Sequence, residues 1–160
     1  MLITIDPGLR HCGCALWKED GTLDSAELVK SRERTARGPV AWKAMADQVF
    51  VRYAGHVSRV VVECPRIYPH TDQHKGDLND LIELAGVVGA LASVFDVNVT
   101  HVYPADWKGQ VPKEIMNERC LFTLSQAERL QLLHKDHNTL DAVGIGLHAH
   151  GRIGKRQVFR

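Results

Sequence analysis

Residues 1–10 read MLITIDPGLR, an apolar run that ends on the carboxylate of Asp6 and breaks at once into Pro7-Gly8. Met1 to Ile5 predicts a buried strand, and a continuously apolar strand of this kind belongs to the middle of a sheet. A charge at its tip has two readings. Either Asp6 caps the turn before Pro7-Gly8, or it holds something.

A second strand ends the same way. In RVVVECP the β-branched run from Arg59 stops on Glu63 and is closed by Pro65. Parallel neighbours lie about 4.8 Å apart, so if these two strands pair in parallel their terminal carboxylates converge at one edge of the sheet. Ligand sites favour that edge in open α/β sheets. Two uncompensated carboxylates so placed would repel until one took up a proton, unless a cation neutralised them. Carboxylate oxygens suit a hard divalent ion, magnesium or manganese. The alternative is a capping Asp6 and a solvated Glu63. A third acid, Asp141, lies in HNTLDAVGIGLHA, where the i, i+4 spacing sets His137 on its helical face and Asn138 follows at i, i+3.

The remaining elements follow from pattern. Cys12–Lys18 and Thr22–Val29 flank the turn signal EDG and predict two further strands in a meander. Pro39 opens an amphipathic helix through Trp42, Met45, Ala46, Val49, Phe50 and Tyr53, stopped by Gly55. Asp77 to Phe95 predicts a buried helix, in which Gly86 and Gly89 would let another backbone approach, from the sheet or from a second subunit. VNVTHVYP predicts a fifth strand ending near Tyr103. SQAE at 125–128 has capping-box spacing and predicts a helix start, and a last helix begins near His137 despite two glycines. The expected order is β-β-β-α-β-α-β-α-α.

The chain has 160 residues, 44% of them hydrophobic, which is enough for one core and too little for two ordinary domains. The apolar stretch Leu81–Phe95 is short of a bilayer span and contains Glu83, and Asp6 interrupts any leader-like opening, so neither membrane nor secretion is expected. Cys12, Cys14, Cys64 and Cys120 form no CxxC pair, which fits a reducing, cytoplasmic setting. Cys12 and Cys14 share a strand face as small core fillers. The net charge is only +1, but four cations fall within Lys30–Arg37 and four within Gly151–Arg160, each a solvated segment or a phosphate-binding one.

ITIDPGLRHCGCAL, VVVECP and HNTLDAVGIGLHA, in this order and at these separations, resemble the RuvC-type Holliday-junction resolvases of the ribonuclease H-like superfamily. The resemblance covers residues 1–150, read as one nuclease domain, with 151–160 as a basic tail. It implies an α/β, ribonuclease H-like fold whose five-stranded mixed sheet has the order 3-2-1-4-5 and is flanked by helices. It implies that Asp6, Glu63 and Asp141 bind two Mg2+ ions, or Mn2+, per active site for hydrolysis of branched DNA into paired nicks with 5′-phosphate and 3′-hydroxyl ends. The family's fourth ligand falls where this chain has Asn138. His137, or Asp136, would replace it, or Asn138 would coordinate through its carbonyl.

Lys108 and Lys113 in YPADWKGQVPKE correspond to a segment that carries active-site lysines, with Trp107 as a packing residue. The segment after Glu63 corresponds to a DNA-facing loop, with Tyr68 to stack on an unpaired base and Arg66 and Lys75 to meet phosphates. His70 and His74 lack a third metal ligand nearby and read as exposed. Arg32, Arg34, Arg37, Lys155 and Arg156 would extend the phosphate-binding surface, and cutting two symmetry-related strands of a four-way junction implies a homodimer. The expected setting is the cytoplasm of a bacterium or a phage-infected host. Alternatives are a ribonuclease H-like nuclease for flaps, forks or hybrids, and a junction-binding protein with weakened catalysis. An actin-like sugar kinase would need a second, similar half.

Overall fold

Alternation along the first strand sets the layers. The computed structural model describes residues 1–33, 35–66, 78–133 and 135–153. In β1 (Leu2–Asp6), Ile3 and Ile5 point to one face of the sheet while Leu2, Thr4 and Asp6 point to the other. β2 (His11–Trp17) runs antiparallel to β1, and β3 (Leu23–Lys30) antiparallel to β2. β4 (Arg59–Glu63) lies parallel to β1, and β5 (Asn98–Val102) parallel to β4. The sheet order is β3-β2-β1-β4-β5, as expected.

Ile3, Ile5, Cys12, Cys14, Val60 and Val62 pack against α1 (Gly38–Tyr53) and α2 (Leu78–Val94). Leu2, Ala15, Trp17 and Val61 pack on the opposite side, against α4 (Lys113–Thr123) and α6 (His137–Ala149). Both cysteines of β2 are fully buried, in keeping with their reading as core fillers, and burial pushes the Cys12 thiol up to about 12. The four cysteines are free.

Two elements lie outside the expected order. The short α3 (Pro104–Trp107) follows β5, and α4 buries a stripe of only Met116 and Cys120, too narrow to show as helical periodicity. The five-residue α5 (Gln126–Leu130) starts where the SQAE spacing places it: Ser125 Oγ accepts from the Glu128 amide, and Glu128 Oε2 accepts from the Ser125 amide at 2.8 Å.

The expected buried helix after β4 is corrected. Only Val87 and Leu91 of α2 are buried, and Leu78 and Ile82 face solvent, because α2 lies along α1 and presents one stripe to it. Gly86 does not admit another backbone: a Cβ there would meet the Trp42 indole at 2.3 Å, and that indole donates to Glu83 Oε2 at 2.6 Å. No described residue approaches a Cβ at Gly89 within 4 Å.

Among the described residues, no helix is long and apolar enough to cross a membrane. Arg152, one of the basic residues near the C-terminus, is half-buried and tied into the fold. It forks onto Glu128 at 2.7 and 3.0 Å and also donates to the carbonyls of Gly21 in the β2–β3 hairpin and Thr123 at the end of α4.

Candidate active site at the carboxyl edge of the sheet

The parallel strands β1 and β4 are paired through Ile5 and Val62, and continuing that register by one residue sets Asp6 beside Glu63. Asp6 alternates with Thr4 and Leu2, and Glu63 with Val61, so both carboxylates point to the face covered by α6. The third acid, Asp141, is carried by that helix.

Three features seat α6 there. Its N-terminus is capped by Asp136, whose Oδ1 accepts from the Asn138 and Thr139 amides at 2.9 and 3.2 Å. Thr4, fully buried in β1, donates its hydroxyl to the Ala142 carbonyl at 2.7 Å. Gly13, the partner of Asp6 in the β1–β2 ladder, lies so close to the first turn that a Cβ would be 2.0 Å from the Asn138 carbonyl oxygen. The helix glycines have the same origin, since Gly144 faces the Trp107 ring and Gly146 the Trp17 ring with no space for a methyl. Asp141 is thereby 7% exposed, against the sheet edge.

The acids act on one another. Burial first, then the charges of Glu63 and Asp141, push Asp6 up to about 8 against the opposing pull of Lys108 and Lys113. Glu63 is also raised, chiefly by burial, against the pull of Lys108 and of a hydrogen bond from Trp107. Both lysines expected from the sequence are at the site. Lys113, the first residue of α4, places Nζ 2.9 Å from Asp141 Oδ2, and Lys108 places Nζ 3.6 Å from Glu63 Oε2.

Trp107 does more than the packing expected of it. It is buried, but its indole also donates to Glu63 Oε2 at 2.6 Å, and Lys108 Nζ stands 4.7 Å from its ring centre. The only sequence signal for this role is adjacency to Lys108.

The fourth-ligand candidates stand differently. His137 is exposed at the first position of α6 and is not among the charges acting most strongly on Asp6. Asp136 spends its carboxylate on the cap, with Oδ2 accepting from Thr139 Oγ1 at 2.9 Å. Asn138 is half-buried with its backbone carbonyl against Gly13. Among the described residues, no three His, Cys, Asp or Glu side chains form a ready metal cage. Glu63 and Asp141 are instead engaged by lysines. The donor set still suits a hard dication, because it is all carboxylate, and two of its members are held above their ordinary range, chiefly by burial.

β3 ends opposite the start of β2, His11 facing Lys30, so the chain leaves the sheet at the end where β1 carries Asp6, and Arg32 lines a cleft with Gln48, Val51 and Arg52 of α1. Arg32 and Arg37 are exposed. Arg66, three residues beyond Glu63, holds its guanidinium 5.2 Å from the centre of the Tyr103 ring. Arg34, Tyr68, His70, His74, Lys75, Lys155 and Arg156 lie outside the described residues.

No protein-family profile matches the chain, and no curated protein matches it in sequence. Solved structures do. Thermus thermophilus RuvC in complex with Holliday junction substrate superposes with a TM-score of 0.62 at 21% identity, covering 93% of this chain and 92% of that one. A second Thermus thermophilus RuvC structure gives 0.57 at 17% identity, covering 96% and 98%. The Fowlpox virus resolvase, in complex with its substrate Holliday junction DNA, gives 0.57 at 13% identity, covering 96% and 100%. The chain has the α/β, ribonuclease H-like fold of RuvC-type resolvases.

Proposed function

We propose that the chain is a divalent-metal-dependent, structure-specific endonuclease that resolves four-way DNA junctions by paired symmetric nicks. The observation that carries the reading is the meeting of Asp6, Glu63 and Asp141, from two strand ends and a helix, with Lys108 and Lys113 beside them. The fold it shares with junction-bound resolvase structures supports the choice of substrate.

Asp6, Glu63 and Asp141 would hold Mg2+ or Mn2+, with His137 or Asn138 nearby on α6. When bound, the metal supplies water activation and stabilisation of the leaving oxygen. The residues of the chain supply the rest. Lys108 and Lys113 bring ammonium protons to the negative charge that develops on the phosphoryl oxygens, where a fixed cation contributes most. Arg32, Arg37 and Arg66 meet the phosphates of the arms, so binding weakens as salt rises. A homodimer would present two such sites to the two strands.

A panel of labelled substrates tests this: a four-way junction, a fork, a flap, an RNA–DNA hybrid and plain duplex, each with Mg2+ and with Mn2+. Paired symmetric nicks confined to the four-way junction are expected, and equal cutting of every structure refutes the resolvase reading. A second reading, junction binding without cleavage, is favoured by the lysines that already engage Glu63 and Asp141. It wins if the junction is bound and neither metal supports a cut.

A further inference from the structure

Trp107 does two things at the site that packing does not require. Its indole N–H donates to Glu63 Oε2 at 2.6 Å, in the short range of charge-assisted bonds. Its ring also carries the Lys108 ammonium, 4.7 Å from the ring centre and 3.6 Å from the same Glu63 oxygen. Both contacts fall on Oε2, and Oε1 takes no hydrogen bond from the described residues. The tryptophan is 3% exposed and cannot turn away, because α6 gives it its space: a Cβ on Gly144 would lie 2.3 Å from Cζ3 of the ring.

Each contact alone has a bland explanation. A buried indole needs an acceptor, and a lysine next in sequence to a tryptophan often lies on its ring. Their convergence on one carboxylate oxygen is what separates them from ordinary packing. The other two tryptophans find acceptors elsewhere, Trp17 on Thr4 Oγ1 and Trp42 on Glu83. Trp107, fixed between strand β4, helix α6 and the start of the lysine segment, touches an acid and a cation at once.

We infer that Trp107 is the positioning residue of this centre: its N–H fixes the rotamer of Glu63 and its ring fixes Lys108, so that one side chain prepares a carboxylate for a divalent cation and an ammonium for the phosphate. The inference rests on the metal-dependent reading above and deepens it. Partners that orient a metal ligand are worth about 10–100-fold in metal affinity when removed.

The test replaces the N–H while keeping the ring. Benzothienylalanine at position 107 has the indole shape with sulfur in place of N–H, and Trp107→Phe serves as a second, smaller variant. Mn2+ binding to each full-length protein is measured by electron paramagnetic resonance of the free ion, without DNA, beside thermal unfolding in EDTA. The expected result is a 10–100-fold loss of Mn2+ affinity in the benzothienylalanine protein, with its unfolding midpoint near that of the wild type. Equal Mn2+ affinity in the wild type and both variants overturns the positioning role and leaves the metal-dependent reading standing. A wild type that takes up no Mn2+ overturns both.

Discussion

Gly13→Ala isolates the contact that brings the third carboxylate to the other two. Gly13 pairs with Asp6 across the antiparallel ladder, and its added methyl would meet the Asn138 oxygen at 2.0 Å, the Asn138 carbonyl carbon at 2.3 Å and the Thr139 nitrogen at 2.8 Å. All three are backbone atoms, so no rotamer change relieves them. Ordinary contact begins at 3.4 Å, so the first turn of α6 must retreat by roughly 1.4 Å or β2 must bulge. In an open strand, alanine for glycine gains about 0.5–1 kcal/mol. Overpacking a filled interface costs about 1–3 kcal/mol, so the clash decides the sign and the net effect is a loss of about 1–2 kcal/mol. That is survivable for a domain of this size. The functional loss is larger, because Asp141 rides on the displaced turn and a misplacement of about 1 Å at a reacting centre costs on the order of 100-fold. The assay compares single-turnover nicking of a four-way junction at saturating Mg2+ with urea unfolding and junction binding in EDTA. Nicking about 100-fold slower, by a protein that is folded and still binds the junction, is expected. A variant as stable and as fast as the wild type would show that this close approach does not seat α6.

Asp6→Asn removes the most perturbed acid of the cluster; it should keep junction affinity in a gel-shift assay and lose metal-dependent nicking beyond detection. Lys113→Met removes the ammonium 2.9 Å from Asp141, and single-turnover nicking should fall about 100-fold with junction affinity unchanged. Glu128, 4% exposed, accepts bonds from Leu23, Ser125 and both Arg152 terminal nitrogens, which pulls its carboxyl from 4.5 to about 2. A carboxyl lowered in the folded state adds stability above its ordinary range and loses it as pH falls through the folded value, here about 3 kcal/mol between pH 5 and 2. Urea midpoints of the wild type and Glu128→Gln should therefore differ most near pH 6 and converge toward pH 2.

Local pattern is what the sequence makes legible. A strand ending on a carboxylate is a pattern of six or seven neighbouring residues, so Asp6 and Glu63 can each be read from the chain alone as acids at strand ends, while their meeting depends on the parallel pairing of β1 and β4 that the structure supplies, and the SQAE spacing marks a helix start to the residue. Lys108 and Lys113 come from a family resemblance, and both reach acids of the site. What stays hidden depends on contacts across long separations. Trp107 and Glu63 are 44 positions apart, and nothing around either predicts that an indole will meet that carboxylate. Arg152 reads as one more cation of a basic run, because its partner Glu128 is fixed only once the β2–β3 hairpin, α4 and α5 meet. The length of α2 is readable but its burial is not, since apolar content does not say that a neighbouring helix covers a single stripe.

The two carboxylate systems of this chain differ in how their charges are matched. Glu128 and Arg152 are matched, one acid to one base with every oxygen bonded, and the acid is pulled down to about 2. At the sheet edge, among the described residues, three acids meet two ammoniums. Lys108 takes Glu63 and Lys113 takes Asp141, which leaves Asp6 as the odd charge, and Asp6 is the acid pushed up to about 8. Burying unmatched like charges destabilises a fold, and a core needs no such arrangement for packing, since apolar residues of the same volume would serve better. Yet the chain holds it in place with a glycine that admits α6, a buried threonine bond and an aspartate cap. Specific structure that keeps three acids together beside two ammoniums is what the proposed metal-dependent reading calls for.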